Sequence, residues 1–165
     1  MVKLIAVAVL LTTSCASTGK RQDVHLAPNA PEDRSVRITG AEPNQAMTKW
    51  RNLVSPHVEK AMASYPKAKQ RYLAGLPARH TFFVTTLIRD RQGHFESVFI
   101  VVDEISGRGV TGRIANQVNL VRGYRNGDSL TFPEAEVIDW TISRPDGSEE
   151  GNFVGKFLDS LSERN

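Results

Sequence analysis

Residues 80–105 read HTFFVTTLIRDRQGHFESVFIVVDEI, two runs rich in Thr, Phe, Val and Ile on either side of Asp90-Arg91-Gln92-Gly93. β-branched and aromatic side chains in a period of two mark strands, and Asp and Gly supply the turn between them. A long β-hairpin is therefore expected, with strands His80–Arg89 and Phe95–Ile105. Toward the C-terminus, Gly107-Arg108-Gly109 turns the chain into a third strand, Val110–Ala115. Asn126-Gly127-Asp128 marks the next tight turn, ahead of a fourth strand, Ser129–Phe132. Val137–Ser143 reads as a fifth, and Pro145-Asp146-Gly147 turns again. Gly151–Leu161 closes the chain as a helix with Phe153, Phe157, Leu158 and Leu161 toward the sheet.

Upstream of the hairpin the period changes. Met47, Trp50, Leu53 and Val54 recur at spacings of three and four, one face of a helix. Pro56 suits the first turn of a second helix with Ser55 as its N-cap, and Val58, Met62 and Tyr65 carry its apolar face to Pro66. A third short helix, Lys67–Ala74, stops at Gly75. Lys60, Lys67, Lys69 and Arg71 then lie on a solvated side. The expected fold class is α+β: N-terminal helices, an antiparallel sheet of about five strands, and a short C-terminal helix.

The beginning of the chain has a different logic. Lys3 is followed by an unbroken apolar run, Leu4–Leu11, then Thr12-Thr13-Ser14 and Cys15. That order of charge, short apolar run and small residues is a secretory signal, and the run is well short of the ~20 residues that span a bilayer. Cys15 is the single cysteine of the 165-residue chain, so no intramolecular disulfide is available to it. Its place after a small residue at the end of the run resembles a bacterial lipobox, with Thr12 where leucine is usual. The alternative is an ordinary signal cut near Ala16 or Ser17. The expected organisation is a signal peptide at 1–14, a lipidated Cys15 with a flexible tether over 15–43, and an α+β domain at 44–165. The tether holds Pro28, Pro31 and Pro43 and no apolar periodicity, and Val36-Arg37-Ile38 is its one strand-like triplet. With Ala16 and not Asp after the cysteine, the outer membrane is the expected address in an organism that has one.

Composition excludes several classes. An apolar fraction of 40% with 24% charged residues fits a globular chain better than a disordered or membrane-spanning one. The net charge of +3, or +2 once Lys3 leaves with the signal, gives no basic face for nucleic acid. Gly-x-Ser-x-Gly, His-Glu-x-x-His and a Walker loop are all absent. Gly107–Gly112 matches Gly-x-Gly-x-x-Gly by letter, but it joins two strands and lacks the helix whose N-terminus would hold a pyrophosphate. His25 belongs to the tether, His57 is solvated on a helix, and His80 and His94 lie at opposite ends of the hairpin, so no metal site is expected. No catalytic residue, metal or cofactor is assigned.

The segment Gly127-Asp128-Ser129-Leu130-Thr131-Phe132, followed by an acidic-then-aliphatic step into Asp139-Trp140 and by Gly151-Asn152-Phe153, resembles the end of the YegJ-like domain-of-unknown-function family (DUF 2314). Glu96 in the second strand, Gly112-Arg113-Ile114-Ala115-Asn116, and the helix over Ala61–Leu76 with Tyr65-Pro66 are similar to the same family. The likeness runs from Thr48 to Leu161. Phe99 stands where the family often has tryptophan, and Gln117-Val118 where it often has an acidic residue and proline. The resemblance implies a shape and no activity.

Six residues are the candidates for binding or for defining the fold: Asp139, Trp140, Gly127, Asp128, Glu96 and Asn116. Gly127 suits positive φ and Asp128 a self-capped turn. Trp140 suits burial with one acceptor for its indole N–H, and Asp139, on the opposite face by alternation, a backbone amide or an arginine. The expected protein is an exported, lipid-anchored envelope protein. Its partners would be the membrane, through the anchor, and a protein docking on the free edge of the hairpin. One form of it is an immunity-type protein that neutralises a periplasmic toxin. A binder of peptidoglycan or a small molecule would use an exposed Trp50, Phe99 or Trp140. A hydrolase would use Glu134, Glu136 and Asp139.

Overall fold

The hairpin forms where the alternation places it, as β1 (Thr81–Arg89) and β2 (Phe95–Ser106), and its position in the sheet organises the rest. β3 (Gly109–Ile114) and β4 (Ser129–Phe132) extend the sheet beyond β2. β5 (Asp139–Ser143) and β6 (Glu149–Gly151) extend it beyond β1. The order is β4-β3-β2-β1-β5-β6, antiparallel throughout. The computed structural model describes residue 31 and residues 42–162. The residues expected to form the signal, Cys15 and nearly all of the expected tether, including Val36-Arg37-Ile38, fall outside the described residues.

Two expectations about the sheet change. It has six strands, because Glu149-Glu150-Gly151 pairs with β5 although it carries no apolar residue that could reveal an alternation. The hairpin, moreover, is central: β3 occupies the outer edge of β2, and β5 occupies that of β1 from Thr81 to Thr85. Its edges are not free over most of their length.

The helical region also differs. Instead of three helices there is one, α1, running unbroken over 32 residues from Pro43 to Ala74 with Pro56 and Pro66 inside it. Pro43 opens this helix and does not belong to the tether. A proline within a helix leaves the carbonyl four residues earlier without its donor, here those of Asn52 and Met62. The helix persists because its buried stripe does not stop at either proline: Met47, Trp50, Val54, Ala61, Tyr65 and Ala68 recur every three or four residues. Ser55, expected as a cap, sits mid-helix and donates to Glu59 Oε1 at 3.2 Å. Leu53 points outward, 40% exposed.

The C-terminal half of α1 covers one face of the sheet. Ala61, Tyr65 and Ala68 pack there with Phe82, Val84, Val98, Ile100, Trp140 and Ile142, and Tyr72 stacks on Phe82 with ring centroids 5.0 Å apart. The N-terminal half runs on to meet α2 (Phe153–Ser162), where Trp50 and Val54 form a second cluster with Val154 and Leu158. Each fully buried large side chain of this kind contributes roughly 2–3 kcal/mol. α2 therefore packs against α1 as much as against the sheet, and Phe157 stacks on His57 at 4.0 Å. Of the four basic residues assigned to a wet side, Lys67 is exposed as expected and the other three are engaged. Lys69 Nζ lies 2.7 Å from both carboxylate oxygens of Glu134, Arg71 pairs with Glu150, and Lys60 sits over the Phe153 ring.

Candidate functional site

Asp139 and Trp140 open β5, and alternation sends their side chains to opposite faces. The indole N–H of Trp140 donates to the Ala61 carbonyl and to Ser64 Oγ, each at 3.1 Å, which ties the sheet to the middle of α1. Asp139 is fully buried and pairs with backbone: Oδ1 accepts from Trp140 N at 2.7 Å and Oδ2 from Val154 N at 2.6 Å. Val154 is in the first turn of α2, so the carboxylate satisfies a helix N–H that has no partner within the helix. Burial pushes the Asp139 carboxyl up to about 7, against the downward pull of the Val154 and Trp140 amides and of Lys156.

Glu96 and Asn116 fasten the segment after β3. The buried Glu96 accepts the N–H groups of Asn119 and Leu120 at 2.7–3.1 Å. Asn116 Oδ1 accepts Phe99 N–H at 2.8 Å, standing in for a ladder carbonyl where β3 has ended. Gly127 has φ +83°, and Asp128 Oδ2 accepts Arg125 N–H at 2.9 Å, the turn chemistry expected of that pair. Asp90, expected in the hairpin turn, accepts Gln92 N–H on Oδ1 and pairs with His94 through Oδ2 at 2.9 Å, and the same Oδ2 accepts Arg122 N–H at 3.5 Å. The six candidates thus separate into two framework clusters, one around Asp139-Trp140 and one around the 115–128 segment. The aromatic platform is not exposed, since Trp50, Phe99 and Trp140 are all buried. Glu134 is held by Lys69 and Asp139 by backbone, so these two carboxylates are occupied structurally.

A shallow concavity of about 410 Å³ lies beside Gly127 and Asp128. A larger one lies away from the six candidates, between the first half of α1 and the last residues of β1. This cleft of about 560 Å³ falls within the range of small-molecule sites. Its floor is apolar, from Met47, Trp50, Val54, Val58, Leu87 and Ile138, and its rim carries Arg51, Arg89, Glu59 and Glu136. All four rim residues are exposed. Of this lining, sequence offered only Trp50 and Glu136 as functional candidates, and read Met47, Val54 and Val58 as a helix face. The remainder needed the pairing of α1 with β1, some thirty residues apart in the chain, which no local pattern signals.

The cleft exists because β5 stops short of the end of β1. Ile138 N–H donates to Thr85 C=O at 2.9 Å, after which the chain turns away through the 3-10 turn Glu134–Glu136, and Thr86 Oγ1 donates to Glu136 C=O at 3.0 Å. From Thr86 to Arg89, β1 has β2 on one side and the cleft on the other. At the far edge of the sheet the situation is reversed: Lys156 Nζ donates to the carbonyls of Gly151 at 2.8 Å and Glu149 at 3.4 Å, closing the outer side of β6. Among the described residues, no group of three or more His, Cys, Asp or Glu is placed to hold a metal. No helix among them is long and apolar enough to cross a membrane.

Comparison with curated proteins finds no match, and neither does comparison with solved structures. A family model described as an uncharacterised protein conserved in bacteria (DUF2314) matches residues 54–165, a span that takes in the sheet, α2, most of α1 and the β1 wall of the cleft. On that match over more than half its length, the chain belongs to the DUF2314 family of uncharacterised conserved bacterial proteins.

Proposed function

We propose that this is an exported, lipid-anchored envelope protein whose domain acts by binding, with the cleft between α1 and β1 as its binding site. The observation that carries the reading is the cleft itself: an apolar floor with two cations and two carboxylates exposed around it. That is the usual composition of a recognition site, in which apolar contact gives affinity and a few polar groups give orientation. The signal-like N-terminus and Cys15 support the envelope location, with more than one acyl chain making attachment stable.

A photocrosslinking residue in place of Arg51, in the full-length chain in cells, tests the site. One dominant adduct from that position, absent when the same residue replaces Arg113 on β3, two strands away from β1, supports it. Equal labelling from both positions sinks it. Cys15→Ser tests the anchor: acyl labelling is lost and the protein moves to the soluble fraction. Undiminished labelling would refute the lipobox.

A further inference from the structure

Two hydrogen bonds fix which way the backbone of β1 points. Asp90 N–H donates to His94 C=O, so even-numbered residues of this strand turn their N–H and C=O toward β2. Thr85 C=O accepts from Ile138 N–H, so odd-numbered residues turn theirs the other way, toward β5. β5 ends its pairing at Thr85. Leu87 and Arg89 therefore direct their N–H and C=O groups into the cleft that both residues line, and no hydrogen bond from a described residue meets them there. Two residues of open ladder, about 7 Å apart along the strand, stand at the wall of a cavity with an apolar floor.

The charges of that cavity are segregated. Arg89 Nη2 donates to Asn44 Oδ1, which places the first turn of α1 at the Arg89 end. Trp140, opposite Val84, bonds Ala61, so α1 advances toward the Thr86 end as its numbers rise. Arg51 and Glu59 are eight residues, about 12 Å, apart along the helix. Arg51 and Arg89 thus share one end of the cleft, and Glu59 and Glu136 the other.

Resting on the reading of the cleft as the binding site, we propose that it takes an extended peptide by strand addition. The peptide continues the line of β5 and exchanges backbone hydrogen bonds with Leu87 and Arg89. Its apolar side chains seat on the half-buried Val58, Leu87 and Ile138, an acidic group meets Arg51 and Arg89, and a basic group meets Glu59 and Glu136. Main-chain pairing provides affinity, and the alternate side chains and the charge polarity provide selection and direction.

The test is panning of a random seven-residue display library against the full-length protein, then amide exchange with an enriched peptide bound. Peptides with alternating apolar positions and an acidic residue toward one end are expected, and they slow exchange at Leu87 and Arg89 at least tenfold. Arg89→Ala removes the charge and keeps the donor, whereas Arg89→Pro removes both. Because that N–H points away from β2, proline leaves the hairpin ladder intact, which circular dichroism checks. Binding to Arg89→Pro should be about tenfold weaker than to Arg89→Ala. Equal affinities, unchanged exchange at both amides, or no enriched peptide would each overturn strand addition. So would amides of Leu87 and Arg89 already protected in the free chain, since the chain itself would then fill the edge. An adduct from position 51 that persists in any of these cases leaves the cleft as a binding site and removes only the strand-addition mode.

Discussion

Asp139 and Glu150 respond to acid in opposite directions, and together they set a pH profile. The folded state raises the Asp139 carboxyl to about 7 through burial, so the native chain holds a proton there that the unfolded chain releases near 4. Its contribution is fully present below pH 4 and is lost as pH rises toward 7, a span worth about 4 kcal/mol at most. Glu150 is drawn down to about 2, chiefly by its hydrogen bond to Arg71 and then by Arg144. Its contribution is present above about pH 4.5 and lost as pH falls toward 2, and partial exposure limits it to about 1 kcal/mol. Urea midpoints should therefore rise from pH 7.5 to about 4 and fall again as the pH drops further toward 2. Asp139→Asn should flatten the upper limb and Glu150→Gln the lower, and an unchanged profile in either variant would refute that assignment. Gly151 is constrained by geometry. At φ +76°, a Cβ there would lie 2.1 Å from the Trp140 carbonyl oxygen and 2.9 Å from its ring. Gly151→Ala should cost about 2 kcal/mol or more in denaturant unfolding. Sequence anticipated the turn role of Gly127 and Asp128 and the burial of Trp140. The capping of α2 by Asp139 was less visible, because the Val154 amide it accepts from lies fifteen residues further on and no periodicity links them.

Among the elements, the long strands were legible because their alternation is dense in Val, Ile, Phe and Thr, and β4 falls at Ser129–Phe132 as expected. The short β6 was not, since ion pairs from Glu150 to Arg71 and Arg144, not apolar pattern, accompany its pairing with β5. α1 misled for the opposite reason. Proline is a strong local signal, yet the stripe from Met47 to Ala68 docks on α2 and the sheet continuously, and tertiary packing overrides the breaks. The exposed Pro66 costs the helix a hydrogen bond at the Met62 carbonyl. Pro66→Ala should therefore raise stability by about 1 kcal/mol or more, read as a shifted urea midpoint. A lowered midpoint would instead show that the bend at Pro66 is needed to seat both halves of the helix.

At the scale of the whole molecule, the fold class could be read because helices precede a run of turns and strands. The order of strands could not, and it is the order that makes the hairpin central and leaves residues 86–89 of β1 without a strand on their outer side. Two open stretches of backbone are treated differently: Lys156 blocks the carbonyls of the edge strand β6, while the cleft leaves those of Leu87 and Arg89 facing outward. Lys156→Ala should free the β6 edge and raise concentration-dependent self-association, measured by sedimentation. A variant as monodisperse as the parent would show that the short strand protects itself. The single long helix has a mechanical consequence as well. α1 is about 48 Å from end to end and begins beside the cleft, with its first turns serving as one wall. Any pull on the chain ahead of Pro43 is borne first by Met47, Trp50 and Val54, whereas the half locked by Trp140 and the Arg71–Glu150 pair is loaded last. Tension applied from that side would part the wall from β1 before it unravels the sheet, so whatever occupies the cleft would be released by force well before the domain unfolds.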